Sequence, residues 1–285
     1  MDKIVILTYN ILSSSLATLM TNEKKDNKIV YPTEIMDNDN RFKKISLFIK
    51  DQILIYLESN FIICLQEVTE EWLPKFAQLF ASLKYNYINS QYGRIFDGNM
   101  GVLIAYPNKL SIVKSQFIQI GRYINPHNDM SLLAASKRNI AIYLLLESKS
   151  INYKFGVITY HMPCEPKNPL VGYYHNKIIY RKAIKFMSNN KWILAGDFNM
   201  LSDTLAYKYL VKKKGLGCIW KDRLHRYPIT NFAYIKDNEF NGCIDYIFYL
   251  KDNLKCIDVK IDNIYNIIPD KIHPSDHMPI IAIFN

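Results

Sequence analysis

Six stretches of this sequence end an apolar run on a carboxylate, a carboxamide or an imidazole. Asn10 closes Ile4-Val5-Ile6-Leu7, and Glu67 closes Phe61-Ile62-Ile63-Cys64-Leu65. His161 closes Phe155 to Tyr160, and Asp197 with Asn199 closes Trp192 to Ala195. Asp245 and the pair Asp276-His277 stand at the edges of two further apolar runs. One such residue alone is commonly the point where a strand reaches the surface. Jointly they are an inventory of oxygen donors and histidines, most of them with no cysteine nearby. That set suits a hard cation such as Mg²⁺ or Mn²⁺ far better than zinc. Cys164 follows His161 closely, but no base-and-orienter pattern accompanies it as a nucleophile.

The elements that must position these residues are legible as periodicities. Continuous apolar runs closed by polar residues are the pattern of buried strands. Phe42, Ile45, Ile49, Ile53 and Tyr56 form the apolar face of a helix, and Trp72, Phe76, Leu79, Phe80 and Leu83 that of a second. The polar segment from Thr21 to Asn40 reads as loop. From Tyr85 to Glu147 the pattern is mostly strand, punctuated by Gly, Pro and Asn, and looks antiparallel. Helices are expected over Val171 to Met187 and around Leu205 to Lys212, and strands over Trp192 to Ala195, Ile244 to Leu250, Cys256 to Ile261 and Pro279 to Phe284. Strict βαβ alternation is missing, so two packed sheets flanked by helices fit better than a doubly wound parallel sheet. No repeat and no composition break marks a linker, and one domain over residues 1–285 is expected.

Composition bounds the rest. The 285 residues are 49% hydrophobic and 22% charged, a globular profile that excludes a disordered or fibrous chain. Thirty-six Lys and Arg against 26 Asp and Glu give +10, a balance suited to polyanionic partners. Five cysteines, odd in number and without a C-x-x-C pair, indicate neither a disulfide framework nor a zinc knuckle, so a reducing compartment is expected. No apolar run is long enough for a membrane span, and Met1 to Asn10 reads as a strand rather than a signal peptide. The expected location is the cytoplasm, or the nucleus.

Five blocks, in order, resemble the signatures of the endonuclease/exonuclease/phosphatase, or DNase I-like, superfamily. They are Thr8-Tyr9-Asn10-Ile11-Leu12, Leu65-Gln66-Glu67-Val68, Gly196-Asp197-Phe198-Asn199, Ile244-Asp245-Tyr246-Ile247-Phe248 and Pro274-Ser275-Asp276-His277-Met278-Pro279. The resemblance implies a four-layer α/β sandwich of two mostly antiparallel sheets with helices outside, and metal-dependent cleavage of phosphoester bonds at one rim. It implies Asn10, Glu67 and Asp276 as holders of Mg²⁺ or Mn²⁺, and Asp197 as the group that orients or deprotonates water. Asn199 would donate to phosphate, its side chain on the same side as that of Asp197 if the segment is extended. His277 would face the phosphate with Asp245 on its other ring nitrogen, and His161 would donate to a phosphate oxygen. Arg138 and Asn139 are candidate phosphate contacts.

Tyr9-Asn10-Ile11-Leu12-Ser13, Thr230-Asn231-Phe232 and Glu239-Phe240-Asn241-Gly242-Cys243-Ile244-Asp245-Tyr246-Ile247 are similar to the carbon-catabolite-repression deadenylase, nocturnin, Angel and 2′-phosphodiesterase group. Asn231 and Phe240 are thereby implied as substrate-binding residues, with Phe240 stacking on a nucleobase. The implied protein is a monomeric 3′-5′ exoribonuclease acting on nucleic acid, RNA before DNA, away from membranes. A DNA-repair nuclease, a tyrosyl-DNA phosphodiesterase, a lipid-directed phosphodiesterase and a catalytically silent nucleic-acid-binding module are the alternatives.

Overall fold

Strand Ile4–Asn10 is buried along its whole length because both its faces are covered. Ile4 and Ile6 belong to the apolar layer shared with the second sheet. Val5, Leu7 and Tyr9 point the other way, into a cluster with Ile45, Ile49 and Ile53 of helix Asn38–Ile55 and Phe76 and Phe80 of helix Leu73–Ser82. This strand sits inside a six-stranded sheet in a computed structural model that describes residues 3–93, 99–148, 153–235, 238–252 and 254–285.

The first sheet runs, edge to edge, Cys256–Lys260, Ile280–Phe284, Ile4–Asn10, Asn60–Val68, Gly101–Pro107 and Tyr85–Gln91. The second runs Gly217–Cys218, Asp245–Tyr249, Trp192–Asp197, Tyr153–His161, Ile140–Ser148 and Leu110–Gln119. Every neighbour pair is antiparallel except one near the middle of each sheet. Ile4–Asn10 is parallel to Asn60–Val68, and Trp192–Asp197 is parallel to Tyr153–His161. With helices outside both sheets, this is the expected α/β sandwich. The parallel pairs matter for function, since parallel neighbours finish at the same end. Asn10 lies opposite Gln66, one residue before Glu67, and Asp197 lies opposite His161.

Two expectations give way. The polar stretch before Asn40 is not plain loop. Lys24–Lys25 pairs with Lys28–Ile29 across Asp26 and Asn27, both at positive φ, which is the backbone a two-residue hairpin turn requires. A short helix, Thr33–Met36, then buries Met36, and helix Asn38–Ile55 begins two residues on, its first amides capped by Asp37. The antiparallel middle section also contains a helix, Asp129–Ser136. A reciprocal cap starts it: the Ser131 N–H donates to the Asn128 side chain, and the Asn128 N–H donates to the Ser131 hydroxyl. The helix expected around Leu205 is one turn over Leu205–Lys208 that widens into a π-turn over Tyr209–Lys213. No helix among the described residues is long and apolar enough to cross a membrane, and all five cysteines are free.

Helix Leu170–Met187 covers the outside of the second sheet and carries a fully buried histidine. His175 Nε2 lies 2.9 Å from the Ala134 carbonyl, which only accepts, so that nitrogen holds the proton and Nδ1 accepts from Tyr160 Oη at 2.6 Å. Burial lowers its pKa from 6.5 to about 4. The unfolded chain takes up a proton at His175 below about pH 6.5 and the fold does not until about pH 4, so stability is lost as pH falls through that window. Urea unfolding at successive pH values is expected to show a loss of at most about 3 kcal/mol from this group, and His175→Gln should flatten that part of the profile.

Candidate active site

The rim where both parallel pairs finish gathers Asn10, Glu67, His161, Asp197, Asp245, Asp276 and His277, all nearly buried. Asn10 Nδ2 donates to Glu67 Oε1 and to Asp197 Oδ2, each at 3.0 Å, and so ties the two sheets together at their ends. Its amide oxygen accepts from the Leu12 N–H. The nitrogen of Asn10 therefore faces the carboxylates, and only the remaining lone pair of its oxygen is free for an ion.

Glu67 owes its aim to a bulge. Gln66 pairs with Val102 and Val68 with Gly101, leaving Glu67 as the extra residue, with φ +61°. A bulge re-aims one side chain without ending the strand. The second oxygen of Glu67 accepts from the Ser13 N–H at 2.8 Å. Leu12 (φ +53°) and Asn199 (φ +44°) share this left-handed conformation. Three strained non-glycine residues at one rim, each costing on the order of 1–3 kcal/mol, are what a site shaped for chemistry contains.

Asp197 Oδ2 is the hub. Besides Asn10 it faces His161 Nε2 at 3.4 Å and His277 Nε2 at 3.7 Å. The segment beyond Asp197 is not extended as expected. It turns at Asn199, whose N–H donates to Asp197 Oδ1 at 2.8 Å and whose side-chain amide donates to the Met162 carbonyl at 2.9 Å. The two side chains meet through this turn rather than through strand alternation. Gly196 makes the close approach possible, since a Cβ there would lie 1.9 Å from the Tyr160 carbonyl oxygen.

His277 Nδ1 contacts Asp245 Oδ2 at 2.8 Å, and the Thr230 hydroxyl donates to the same oxygen at 2.7 Å. Asp197, Asp245 and His277 bring their donor atoms within 4.8 Å of one another. Because the inward oxygen of Asp245 is already engaged by His277 and Thr230, this trio suits proton handling rather than ion binding. Asn231 Nδ2 reaches Asp276 Oδ2 at 3.3 Å, and the Ser275 hydroxyl anchors the same turn to the Asn10 carbonyl at 2.7 Å.

Charge follows from this packing. Burial raises the pKa of Asp197, and neighbouring Asp245 adds to the rise against the two histidines. Burial also raises Asp276, with Glu67 adding to it. Burial pushes Glu67 upward too, but the His161 ring, the Ser13 N–H and the Asn10 amide outweigh it and hold the carboxyl below its usual range. Burial pulls His277 down, yet Asp245, Asp276 and Asp197 lift it well above the ordinary imidazole value. Glu67 and Asp276 are buried oxygen donors, and among the described residues neither makes an ion pair with a Lys or Arg. Such a donor set fits a hard divalent cation.

Other residues stand further from this centre. Asn139 is half-buried and donates its side-chain amide to the His161 carbonyl. Arg138 is exposed and makes no hydrogen bond or ion pair among the described residues. Asn231 is buried, its amide occupied by Asp276. Phe240 is 40% exposed on the hairpin Asn231–Ile235 and Asn238–Gly242, where a Cβ added to Gly242 would meet its ring at 3.0 Å and Leu201 at 3.1 Å. Thr230 links that hairpin to the site, its N–H donating to Gly242 and its hydroxyl to Asp245.

Sequence reasoning missed four supports. Tyr92 Oη lies 2.7 Å from His161 Nδ1 and orients that ring. Thr230 and Ser275 hold the two carboxylate turns. Arg41, fully buried, donates through Nε to Pro274 O at 2.7 Å and through Nη2 to the Ile11 carbonyl at 2.7 Å and to that of Leu12. Its guanidinium lies 5.2 Å from the Trp72 ring centre. One side chain thus pins the loops carrying Asn10 and Asp276.

A family model described as the endonuclease/exonuclease/phosphatase family matches residues 7–277. Curated protein sequences give no match. Among solved structures, the human nocturnin catalytic domain with bound sulfate is similar, with a TM-score of 0.74 and 20% identity, covering 100% of this chain and 93% of that one. ANGEL2, a 2′,3′-cyclic phosphatase solved with adenosine-2′,3′-vanadate, gives 0.79 at 16% identity, over 99% and 95%. D. rerio TDP2 with a single-stranded DNA product gives 0.68 at 13% identity, over 100% of both chains. At these identities the likeness is one of fold.

Proposed function

Because the chain belongs to the endonuclease/exonuclease/phosphatase family, and so to a family of phosphoester hydrolases, we propose that it is a nucleic-acid phosphodiesterase, specifically a 3′-to-5′ exoribonuclease. The observation that carries this reading is the Asp245–His277 pair facing Asp197, set beside Glu67, with the exposed ring of Phe240 on the hairpin that Thr230 ties to Asp245.

Glu67 and Asp276, with the free lone pair of Asn10, would hold Mg²⁺ or Mn²⁺, which when bound neutralises phosphate charge that these carboxylates would otherwise repel. Asp197 takes the proton of the attacking water. Its raised pKa suits that task, since a base works best when its pKa lies near the working pH. His277, kept protonated by three carboxylates and fixed in orientation by Asp245, donates to an oxygen of the scissile phosphate. As the water oxygen bonds to phosphorus, the P–O3′ bond breaks and the leaving 3′ oxygen takes up a proton from solvent. His161, held by Tyr92, and Asn199 donate to other phosphate oxygens. Asn231 serves by holding Asp276, while Arg138 and Asn139 flank the approach.

RNA is preferred in this reading because an exposed aromatic ring beside a phosphate site offers a platform for an unstacked base. The protein acts as one catalytic domain and a monomer. The test is a panel of end-labelled poly(A), mixed RNA, single-stranded DNA, abasic duplex and 5′-tyrosyl DNA with Mg²⁺. A ladder growing from the 3′ end of RNA supports the reading, whereas nicks inside DNA or release of tyrosine replace it with a repair activity. Affinity without turnover on every substrate would leave a binding module. In the same assay Phe240→Ala is expected to raise KM for RNA about 10-fold and to leave a small nitrophenyl phosphodiester unaffected.

A further inference from the structure

The positive charge of this chain is not evenly spread. Helix Leu170–Met187 contains Lys177, Arg181, Lys182 and Lys185 and no Asp or Glu. The segment packed beside it, residues 205–214, contains Lys208, Lys212, Lys213 and Lys214 and again no acid. Tyr173, Lys177, Arg181 and Lys185 recur every four residues, so they form one line down the helix, rising about 6 Å per step. The buried side of the helix is Val171, His175, Ile179 and Ala183, which leaves that line facing outward.

Lys177, Arg181 and Lys185 are exposed, and among the described residues none of the three makes an ion pair. Lys25, Lys75, Lys137, Lys154 and Lys251, elsewhere on the surface, each have a carboxylate partner. The second segment lies against the line. Tyr209 touches Tyr173 with ring centres 5.6 Å apart, and Lys214 Nζ sits 5.1 Å from the Tyr180 ring centre. The helix itself begins at the site's end of the second sheet, since it follows strand Tyr153–His161, whose last residue stands at the rim. Asn176, in the second turn, donates to the Ala206 carbonyl at 3.1 Å, and Gly172 packs toward Ala206 and Met162. Met162 in turn accepts from Asn199 and donates to Asp197 through the backbone.

We propose that the outer face of helix Leu170–Met187 is a sequence-independent track for single-stranded nucleic acid, on which the strand leaving the active site lays its phosphates along Lys177, Arg181 and Lys185. This rests on the nucleic-acid reading of the site for its purpose, and on charge and geometry for its place. Unpaired cations at regular spacing, flanked by tyrosine rings, match a polyanion with bases better than a lipid surface. A membrane-lying helix needs a broad apolar face beside its cations, and this helix itself exposes one large apolar side chain, Ile184.

The test compares the protein with its Lys177→Glu/Arg181→Glu/Lys185→Glu variant. Binding of a fluorescent single strand of about 20 nucleotides is followed by anisotropy in EDTA between about 50 and about 200 mM salt, and turnover of a trinucleotide is followed with Mg²⁺. The expected result is an affinity loss of about 30-fold at the lower salt, a slope of log affinity against log salt shallower by about 2, and unchanged trinucleotide turnover. The corresponding Gln variant should show a smaller loss in the same direction. Affinity and slope equal to the parent's overturn the track. So does a variant that loses binding to phosphatidylserine vesicles while keeping the oligonucleotide. If the parent binds the long strand through these residues yet cleaves neither substrate, the hydrolytic reading falls and the track stands.

Discussion

Asp197→Asn is expected to lower phosphodiester hydrolysis on the order of 10³–10⁴-fold and, in EDTA, to raise the thermal midpoint. The two effects have one source. Asp197 Oδ2 is the oxygen on which Asn10, His161 and His277 converge, and it lies behind a rim that leaves the residue 1% exposed. Burial lifts its pKa above the unfolded value, so the ionised form costs stability at neutral pH, and the cost disappears only as pH falls through the folded pKa. An amide of the same shape removes that cost, with the loss of one hydrogen bond because its NH2 then faces a donor, Asn10 Nδ2 or the Asn199 N–H. It also removes the acceptor proposed to take the proton of the attacking water. Single-turnover rates with Mg²⁺ and melting curves in EDTA check both parts, and a variant that keeps its rate sinks Asp197 as the base. In the proposed mechanism Asp197, His277 and Asp245 act as a unit, so adding His277→Gln to Asp197→Asn should cost little more than the first change alone.

How much of this could be read from the chain differs by residue. The strands that carry Asn10, Glu67, His161 and Asp197 announce themselves because a strand buried on both faces is an unbroken apolar run, and the run must stop where it reaches the rim. What the residues do at the stop is not written in that pattern. Glu67 faces inward through a one-residue bulge and Asn199 through a left-handed turn, and periodicity of two does not encode either. Spacing alone points to an extended segment at Asp197–Asn199, but the Asn199 N–H takes an Asp197 oxygen as its acceptor and the chain turns there. Arg41 did leave a sign: it stands four residues before Ile45 on the stripe that Ile49 and Ile53 continue. A charge on the buried face of a helix has to serve carbonyls or carboxylates, because an unpaired buried cation is prohibitively costly. Burial lowers its pKa to about 10, which still leaves it charged at neutral pH. Tyr92 leaves no such sign, since an isolated hydroxyl has no period, and Thr230, although it stands in a block that resembles the deadenylase group, carries nothing in that block to say which carboxylate it holds. The helix Asp129–Ser136 was hidden because its start depends on a reciprocal Asn128–Ser131 cap inside a stretch whose flanks read as strand.

Glu67→Gln should abolish the response of the fold to divalent cations as well as the activity. In the parent, Mg²⁺ or Mn²⁺ binding only the folded chain stabilises it by mass action, about 2.7 kcal/mol at a hundredfold excess over the dissociation constant. For a chain of this size that is a rise in melting midpoint on the order of 5 °C. Glu67 is the carboxylate whose charge the site already secures, through the Ser13 N–H, the Asn10 amide and the His161 ring, so it remains ionised and ready at neutral pH. Asp276 is held above its ordinary carboxylate value by burial, with Glu67 adding to the rise. The carboxamide keeps the hydrogen bond to Ser13 and the bulge around residue 67, so the variant should fold. It lacks the anionic oxygen, and although a neutral residue 67 removes one cause of the rise at Asp276, that easing does not replace the lost charge, so less remains to attract an ion. Melting curves across a Mn²⁺ titration read this without any substrate. A Glu67→Gln protein that still gains the parent's midpoint shift would place the cation elsewhere, while a parent that gains none would remove the ion from this rim altogether.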